Sequence, residues 1–405
     1  MDSAPAVISP CDVAAFPAGW RVRLGGRIMD VRDRQVVIAD ATTSITAHLA
    51  EGSNVPVAGT LCVVEGVADG MRLSEAVVVE AYPGSGGEIA REHDRLWRMG
   101  VGRGLVQRDL GIRAVREWFF ARDFVEVDTP LRVRSPGLDL HLDAFETEGK
   151  YLITSPEYQM KRLLSGGMPR IFQISHCFRR GEEGPWHDPE FLMLEWYRAF
   201  SGIDAVMGDT EQIVQQVVTR LRGAPEVQVG ARKVSVRPPF ERMTVCEAFA
   251  RFAGIGEAEV IRSAHETPDD YFRILVETVE PAIASMDHPV FVTDYPADQA
   301  SLARLRPRDP RFCERFELYV AGIELCNGFG ELTDPEEQRQ RLERDRVERR
   351  EAGKPEYPVD ERFLRALEEG MPPSGGNAMG LDRLLTLAVG GAGIADVLPC
   401  PASWA

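Results

Sequence analysis

The stretch Met168–Arg198, MPRIFQISHCFRRGEEGPWHDPEFLMLEWYR, constrains the fold of this chain more than any other. Two apolar, β-prone runs, Arg170–Phe178 and Phe191–Arg198, flank a polar loop holding Gly181, Gly184 and Pro185. That order predicts a long antiparallel hairpin. Along the first run Phe172, Ile174 and His176 alternate with Ile171, Gln173 and Ser175. Arg179 stands at the strand end beside Arg180, Glu182 and Glu183. A hairpin mouth with both signs of charge suits either a solvated loop or a ligand that itself carries both signs.

The rest of the chain limits what that ligand can be. At 405 residues there is room for about two or three domains. A net charge of −16 argues against general polyanion binding. Only Lys150, Lys161, Lys233 and Lys354 are lysine, so bidentate contacts to phosphate or carboxylate fall to arginine. The seven cysteines are scattered without a CxxC, which reads as small buried hydrophobes in a reducing cytoplasm. No apolar run approaches the ~18 residues of a membrane span, and the first residues lack the pattern of a signal peptide.

In chain order, Trp20–Tyr82 consists of short alternating strands separated by turns such as Ala68-Asp69-Gly70. This predicts a small β-barrel like the oligonucleotide-binding (OB) barrel. The segment has few aromatics, no lysine and more acids than arginines, so a docking or packing module is expected rather than a nucleic-acid binder. Tyr82–Gly87, YPGSGG, is the expected linker, which divides the chain into residues 1–86 and 87–405. Glu88–Phe120 reads as one helix, with Ile112, Val115, Phe119 and Phe120 forming a core or partner face. A strand Phe124–Val127 follows, ending at Thr129-Pro130. Ser135–Phe145 reads as loop and strand. Thr154-Ser155-Pro156-Glu157 starts a helix that Ser155 or Thr154 can cap. Residues 203–285 read as a helical insertion, and Pro335–Gly353 as a helix with a solvated charged face.

Chemistry concentrates in two further stretches. In Arg311–Glu331, strands Phe312–Tyr319 and Ile323–Phe329 surround Val320-Ala321-Gly322. A turn centred on Val320 and Ala321 would set Glu317 opposite Glu324, with Cβ atoms about 5 Å apart. Two carboxylates that close call for a hard cation between them. Glu331, on the same strand, suits an amine. In Gly375–Leu387, small residues make a strand and tight turn, and Gly380 opens a helix carrying Arg383, which suits a phosphate. There is no Walker motif and no GxGxxG at a βαβ start. Arg179, Arg383, the Glu317/Glu324 pair and further acids for an amine together suit activation of an amino acid by ATP and Mg²⁺.

From about residue 88 to 405 the chain resembles the class II aminoacyl-tRNA synthetases of lysyl type. The matching parts are the helix and strand ending at Pro130, the hairpin FRRGEEG…HDPEFLMLEWY, and GLDRL near the C-terminus. It is most similar to the elongation factor P–(R)-β-lysine ligases, through TSPEYQMKRLL, DPEFLMLEWYR, ASLARL, GIELCNGFGELTD and ALEEGMPPSGG. The resemblance implies an α+β domain, an antiparallel sheet with flanking helices, following an N-terminal OB-like barrel.

It also implies roles. Arg179 holds the α-phosphate and substrate carboxylate. Phe191 stacks on adenine, with Glu182 and Asp188 near ATP, although Glu182 and Glu183 both stay open as the acid toward adenine. Glu317 and Glu324 bind magnesium, Leu325 and Gly380 line the ATP site, and Arg383 reaches the terminal phosphate. Ser155, Glu157, Tyr197 and Glu331 bind a lysine-like amino acid, and Ala378 replaces the glycine of lysyl-tRNA synthetases. Asp188 stands where asparagine is usual. The implied enzyme is a cytoplasmic homodimer, joined through Gly111–Pro130, that ligates lysine or (R)-β-lysine to elongation factor P. The alternatives are a lysyl-tRNA synthetase, which would act with tRNA, a free-standing lysine-activating enzyme, and a paralogue that binds the adenylate without transfer.

Overall fold

The computed structural model describes residues 6–82 and 91–404. The chain divides into two compact units, Met1–Val106 and Gln107–Ala405. Of the linker expected at Tyr82–Gly87, only Tyr82 lies within the described residues, as does only the part from Arg91 onward of the helix expected from Glu88.

In the first unit, strands Arg21–Arg32, Gln35–Ala39, Ser44–Leu49, Leu61–Asp69 and Arg72–Tyr82 each pair with two others. The pairings return from Leu61–Asp69 to Arg21–Arg32. Alternate residues such as Val22, Leu24, Val36, Ile38, Ile45 and Leu73 fill the core between them, the period-2 pattern expected of strands with one buried face. The expected single helix is interrupted: a π-helical turn ends at Arg98 and Gly100 takes a φ of +83° before the helix Val101–Phe120 begins.

The second unit is built on a nine-stranded sheet. Its order is Glu241–Thr244, Val290–Pro296, Asp309–Val320, Ile323–Gly330, Ser374–Gly380, Glu190–Ala199, Arg170–Phe178 and Val125–Glu126, with Leu305–Arg306 beside Asp309–Val320. The interior is antiparallel and the two outermost pairings are parallel. Both faces are covered. Ile171, Tyr197, Val290 and Val292 join the core on one face, and their neighbours Phe172, Trp196 and Phe291 join the core on the other. Sheets covered on both sides read as apolar runs rather than strict alternation, which is why the Arg170–Phe178 and Phe191–Arg198 runs were legible.

Four further expectations are corrected. The 203–285 region is not only helical. It holds the strand pair Glu226–Val229 and Arg232–Ser235, and its Glu241–Thr244 segment is an edge strand of the main sheet. Residues 135–145 contain no strand; their backbone is a loop whose carbonyls are taken by side chains from elsewhere. Cys11 and Cys400 are exposed, whereas the other five cysteines are buried; all seven are free.

The fourth concerns the helix Pro335–Glu351, which is not only a solvated face: Arg349 is fully buried. Its guanidinium donates to Pro355 O (2.9 Å), Asp139 O (2.6 Å), Leu142 O (2.9 Å) and Asp143 Oδ1 (2.6 Å). It also lies 4.4 Å over the Tyr357 ring. Periodicity missed this because most of the anchor's partners, at Asp139, Leu142 and Asp143, lie about 200 residues away. Arg349→Met should cost about 2–4 kcal/mol, since it leaves three backbone carbonyls and the partly exposed Asp143 carboxylate without their donor. Denaturant unfolding of the variant measures this, and Arg349→Lys should recover little because one ammonium cannot replace a five-donor fork.

Candidate active site

The site is laid across one sheet face. Gln173, Glu195, Ala378, Asn327 and Glu317 are successive register partners across five strands. Ile171, Tyr197, Gly376, Phe329 and Arg315 form the neighbouring row. Side chains at directly opposed positions share a face, so these rows make a polar floor bordered by aromatic rings. Above it opens a cavity of about 1130 Å³. Ser155, Glu157, Arg179, Glu182, Asp188, Phe191, Glu317, Glu324, Leu325, Ala378, Gly380 and Arg383 all line it. Tyr197 and Glu331 do not; both are buried behind the wall.

The expected register of the two acids is overturned. Ala321 and Gly322 form the turn with φ of +52° and +87°, the left-handed pair of a type I′ hairpin. A β-branched Val320 is a poor residue for positive φ, so it closes the strand opposite Ile323 instead. A bulge between Leu318 and Tyr319 then pairs Glu324 with Tyr319 and Glu317 with Asn327. The bulge re-aims side chains: it brings Asn327, missed in the sequence, into the polar row.

Glu317 is saturated. Its Oε2 accepts from Tyr295 OH and Tyr319 OH, both at 2.7 Å, and its Oε1 accepts from Arg315 at 2.6 Å. Glu324 is more open and lies 3.6 Å from Arg383. Burial and the charge of Glu317 push its pKa up to about 7. Asn327 Oδ1 has no partner among the described residues. No group of three or more His, Cys, Asp or Glu among the described residues could hold a metal by itself. The carboxylate of Glu324 and the Asn327 carbonyl are hard oxygen donors that suit a magnesium ion sharing its shell with phosphates.

The arginines converge from separate elements. Arg383, in the helix Leu381–Val389, donates to Glu324 O (2.9 Å) and Trp186 O (3.2 Å), and meets His187 Nε2 at 2.6 Å. Burial and Arg383 lower the His187 pKa, keeping the ring neutral as an acceptor. Arg179 donates to Thr154 O at 3.4 Å, pairs with Glu182 at 3.7 Å and lies 5.1 Å over the Phe191 ring. Glu182 lines the cavity, whereas Glu183 is exposed outside it. Asp188 uses both oxygens on backbone N–H groups, of Glu190 (3.3 Å) and Ala402 (2.8 Å), so its carboxylate pins the chain end. Asp382, also unremarked in the sequence, accepts from Leu192 N at 2.7 Å and pairs with Arg108, locking the hairpin to the last helix.

The end of the pocket at which an amine is expected is acidic. Ser155 is not the helix cap, which falls at Pro156; its Oγ donates to Glu195 Oε2 at 2.6 Å and accepts from Glu157 N at 3.3 Å. Thr154 donates to Pro136 O. Tyr197 OH donates to Glu195 Oε1 at 2.6 Å. Glu195 was the signal overlooked: a lone acid inside the apolar run FLMLEWY. Burial and the Glu157 charge push its pKa up to about 8. A carboxyl raised in the folded state adds stability at pH below its unfolded value and loses it as pH climbs through the folded one. Relative to wild type, Glu195→Gln should therefore gain stability as pH rises from about 4.5 to about 8. Unfolding midpoints across that range test this; a flat difference would mean that Glu195 is ionised in the empty pocket.

The class II tRNA synthetases (D, K and N) match residues 94–403. The elongation factor P–(R)-β-lysine ligase of Proteus mirabilis is 40% identical over 313 residues, which is 73% of this chain and 94% of that protein. That of Vibrio cholerae is 39% identical over 300 residues, 71% and 91% of the two chains. The chain belongs to the class II synthetase family. Within it, the similarity to the ligases covers nearly their full length, whereas residues before 94 fall outside the family match. A class II synthetase domain is α+β, as the nine-stranded sheet and its helices are. Among the described residues no helix is long and apolar enough to cross a membrane.

Proposed function

We propose that this chain is an ATP-dependent ligase that adenylates lysine or (R)-β-lysine and transfers it to a lysine side chain of elongation factor P. The supporting observation is one cavity in which Arg179, Arg383 and Glu324 meet the amine-suited Ser155 and Glu157, in a relative of ligases bearing that name. In the first step a substrate carboxylate oxygen attacks the α-phosphorus of ATP, forming an acyl-adenylate and releasing pyrophosphate. In the second, the acceptor amine attacks the acyl carbon, an amide forms and AMP leaves with the C–O electron pair. Arg179 orients the carboxylate and α-phosphate, Phe191 backs the adenine, and Arg383 holds the terminal phosphate. Gly380 and Leu325 let the nucleotide lie close to the sheet. Magnesium, held by Glu324 with Asn327 and Glu317 near it, would screen phosphate charge.

Ser155, Glu157, Tyr197 and Glu331 form the amino-acid end, with Ala378 in its floor. Residues 1–86 form an OB-like barrel and linker, a reading supported by the closed cycle of pairings, and residues 87–405 form the catalytic domain. A homodimer through Gly111–Pro130 accords with the exposure of Phe120 and Val125. The reaction belongs in the cytoplasm, with ATP and the translation machinery.

A lysyl-tRNA synthetase activity is the second reading, favoured by the presence of an N-terminal β unit of the kind such synthetases carry. Parallel assays with radiolabelled lysine isomers, elongation factor P and tRNA decide between the two. Labelling of elongation factor P is the expected result; charging of tRNA alone would overturn it.

A further inference from the structure

Asp382 is 2% exposed and lies in the first turn of the helix Leu381–Val389, between the core residue Leu381 and the cavity residue Arg383. The pairing of Glu190–Ala199 with Ser374–Gly380 ends at Met193 and Gly380, and the chain turns helical at Leu381. Beyond that pair the N–H of Leu192 meets no strand on this side. Asp382 Oδ2 accepts it at 2.7 Å, so a side-chain carboxylate takes the place of the missing ladder carbonyl. The other oxygen, Oδ1, is bonded by Arg108 of the helix Val101–Phe120, whose Nη1 also lies 3.5 Å from Val397 O. A buried carboxylate persists only when paired and hydrogen-bonded. Here Arg108 supplies the charge and Leu192 the second bond.

The two residues flanking this contact belong to opposite ends of one ligand. Phe191 precedes Leu192 and lies under the Arg179 guanidinium. Arg383 follows Asp382. The hairpin keeps Phe191 beside Arg179 through its own register, which runs from Arg170 and Arg198 to Phe178 and Glu190. Arg383 stands on a different element. Its side chain reaches the hairpin loop at Trp186 O and His187, whereas the bond from Leu192 to Asp382 ties the strand backbone to the helix itself. We infer that Asp382 is a positioning residue for the nucleotide: held by Arg108, it fixes the distance between the adenine end at Phe191 and the terminal-phosphate end at Arg383. This rests on the placement of ATP proposed above. ATP spans both ends, whereas AMP uses only the first. Asp382 therefore acts on the triphosphate through its two neighbours, and a small error in their spacing falls on ATP alone.

Titrations of the full chain with magnesium–ATP and with AMP test this. Asp382→Asn keeps the shape but offers one neutral oxygen to two donors. It should weaken ATP binding about 10-fold and AMP binding less than about 2-fold. In amino-acid-dependent ATP–pyrophosphate exchange the KM for ATP should rise by a similar factor, with the KM for lysine isomers nearly unchanged. Asp382→Ala should widen the contrast. Arg108 meets Asp382 through a single nitrogen, so Arg108→Lys should stay within about 3-fold of wild type for ATP. Equal losses of ATP and AMP would reduce Asp382 to general support of the fold and overturn the inference. So would unchanged ATP binding in Asp382→Asn, which decides the matter if Asp382→Ala fails to fold. The titrations also separate this inference from the proposed reaction. A preserved contrast between ATP and AMP, with no exchange for any lysine isomer, would sink the lysine-activating reading and uphold the role of Asp382. A wild type that binds neither nucleotide overturns both.

Discussion

Arg179→Ala is expected to lower kcat/KM for amino-acid-dependent ATP–pyrophosphate exchange by about 10³-fold, with little change in thermal midpoint. The cavity is lined by four arginines, Arg179, Arg315, Arg344 and Arg383. Arg315 is committed to Glu317 at 2.6 Å and Gln299 O at 2.7 Å. Arg179 lies over Phe191 and beside Thr154, and on the proposed reading it faces both the carboxylate and the α-phosphate. Loss of a preorganised donor at a charge that grows in the transition state costs about 10²–10³-fold, and a guanidinium gripping both reactants adds their alignment. Arg179→Lys should recover only part, because a single ammonium cannot span two oxygens as a fork does. The partners of Arg179 are a backbone contact at 3.4 Å and an ion pair at 3.7 Å, both long, so the change in stability should be small. Near-wild-type exchange in Arg179→Ala would mean that the carboxylate and α-phosphate lie elsewhere.

Glu324→Gln and Glu317→Gln should behave differently, although the sequence presents them as a matched pair. Glu324→Gln should lower exchange by about 10²–10³-fold and raise the magnesium concentration needed for half-maximal rate. It should leave stability nearly unchanged. Its carboxyl is partly exposed and its one ion-pair partner, Arg383, lies 3.6 Å away, so little is lost when an amide replaces it. Glu317→Gln should cost stability as well as rate. It removes the charge that Arg315 requires and one acceptor shared by two tyrosine hydroxyls; breaking such a buried pair costs about 3–5 kcal/mol. Magnesium titration of exchange and unfolding midpoints of both variants test this. Equal behaviour of the two would return the acids to the symmetric pair expected at first.

Much of the site was legible because its parts sit on long, distinctive runs. The hairpin around Arg179 and Phe191 announces itself through apolar runs broken by Gly181, Gly184 and Pro185. The Gly380–Arg383 segment announces itself through small residues ahead of a helix. What stayed hidden depends on partners far away in sequence. Glu195 looks like an interruption of an apolar strand until Ser155 and Tyr197 are seen bonded to it. Asn327 looks incidental until the bulge at Leu318/Tyr319 sets it opposite Glu317. Arg349 looks solvated within a run of charges until the 139–143 loop closes around it.

Local order determined which elements form, because strand and helix periodicity, glycine and proline act over a few residues. The same local order supplied the chemical inventory of arginines, acids and close-approach glycines. Register, face and pairing were decided only by the tertiary structure. A single bulged residue exchanges Cys326 for Asn327 in the polar row, and the buried Asp382 completes a ladder where a strand gives way to a helix. Those choices arise from the packing of both sheet faces and the desolvation of charges, which no stretch of the chain carries by itself.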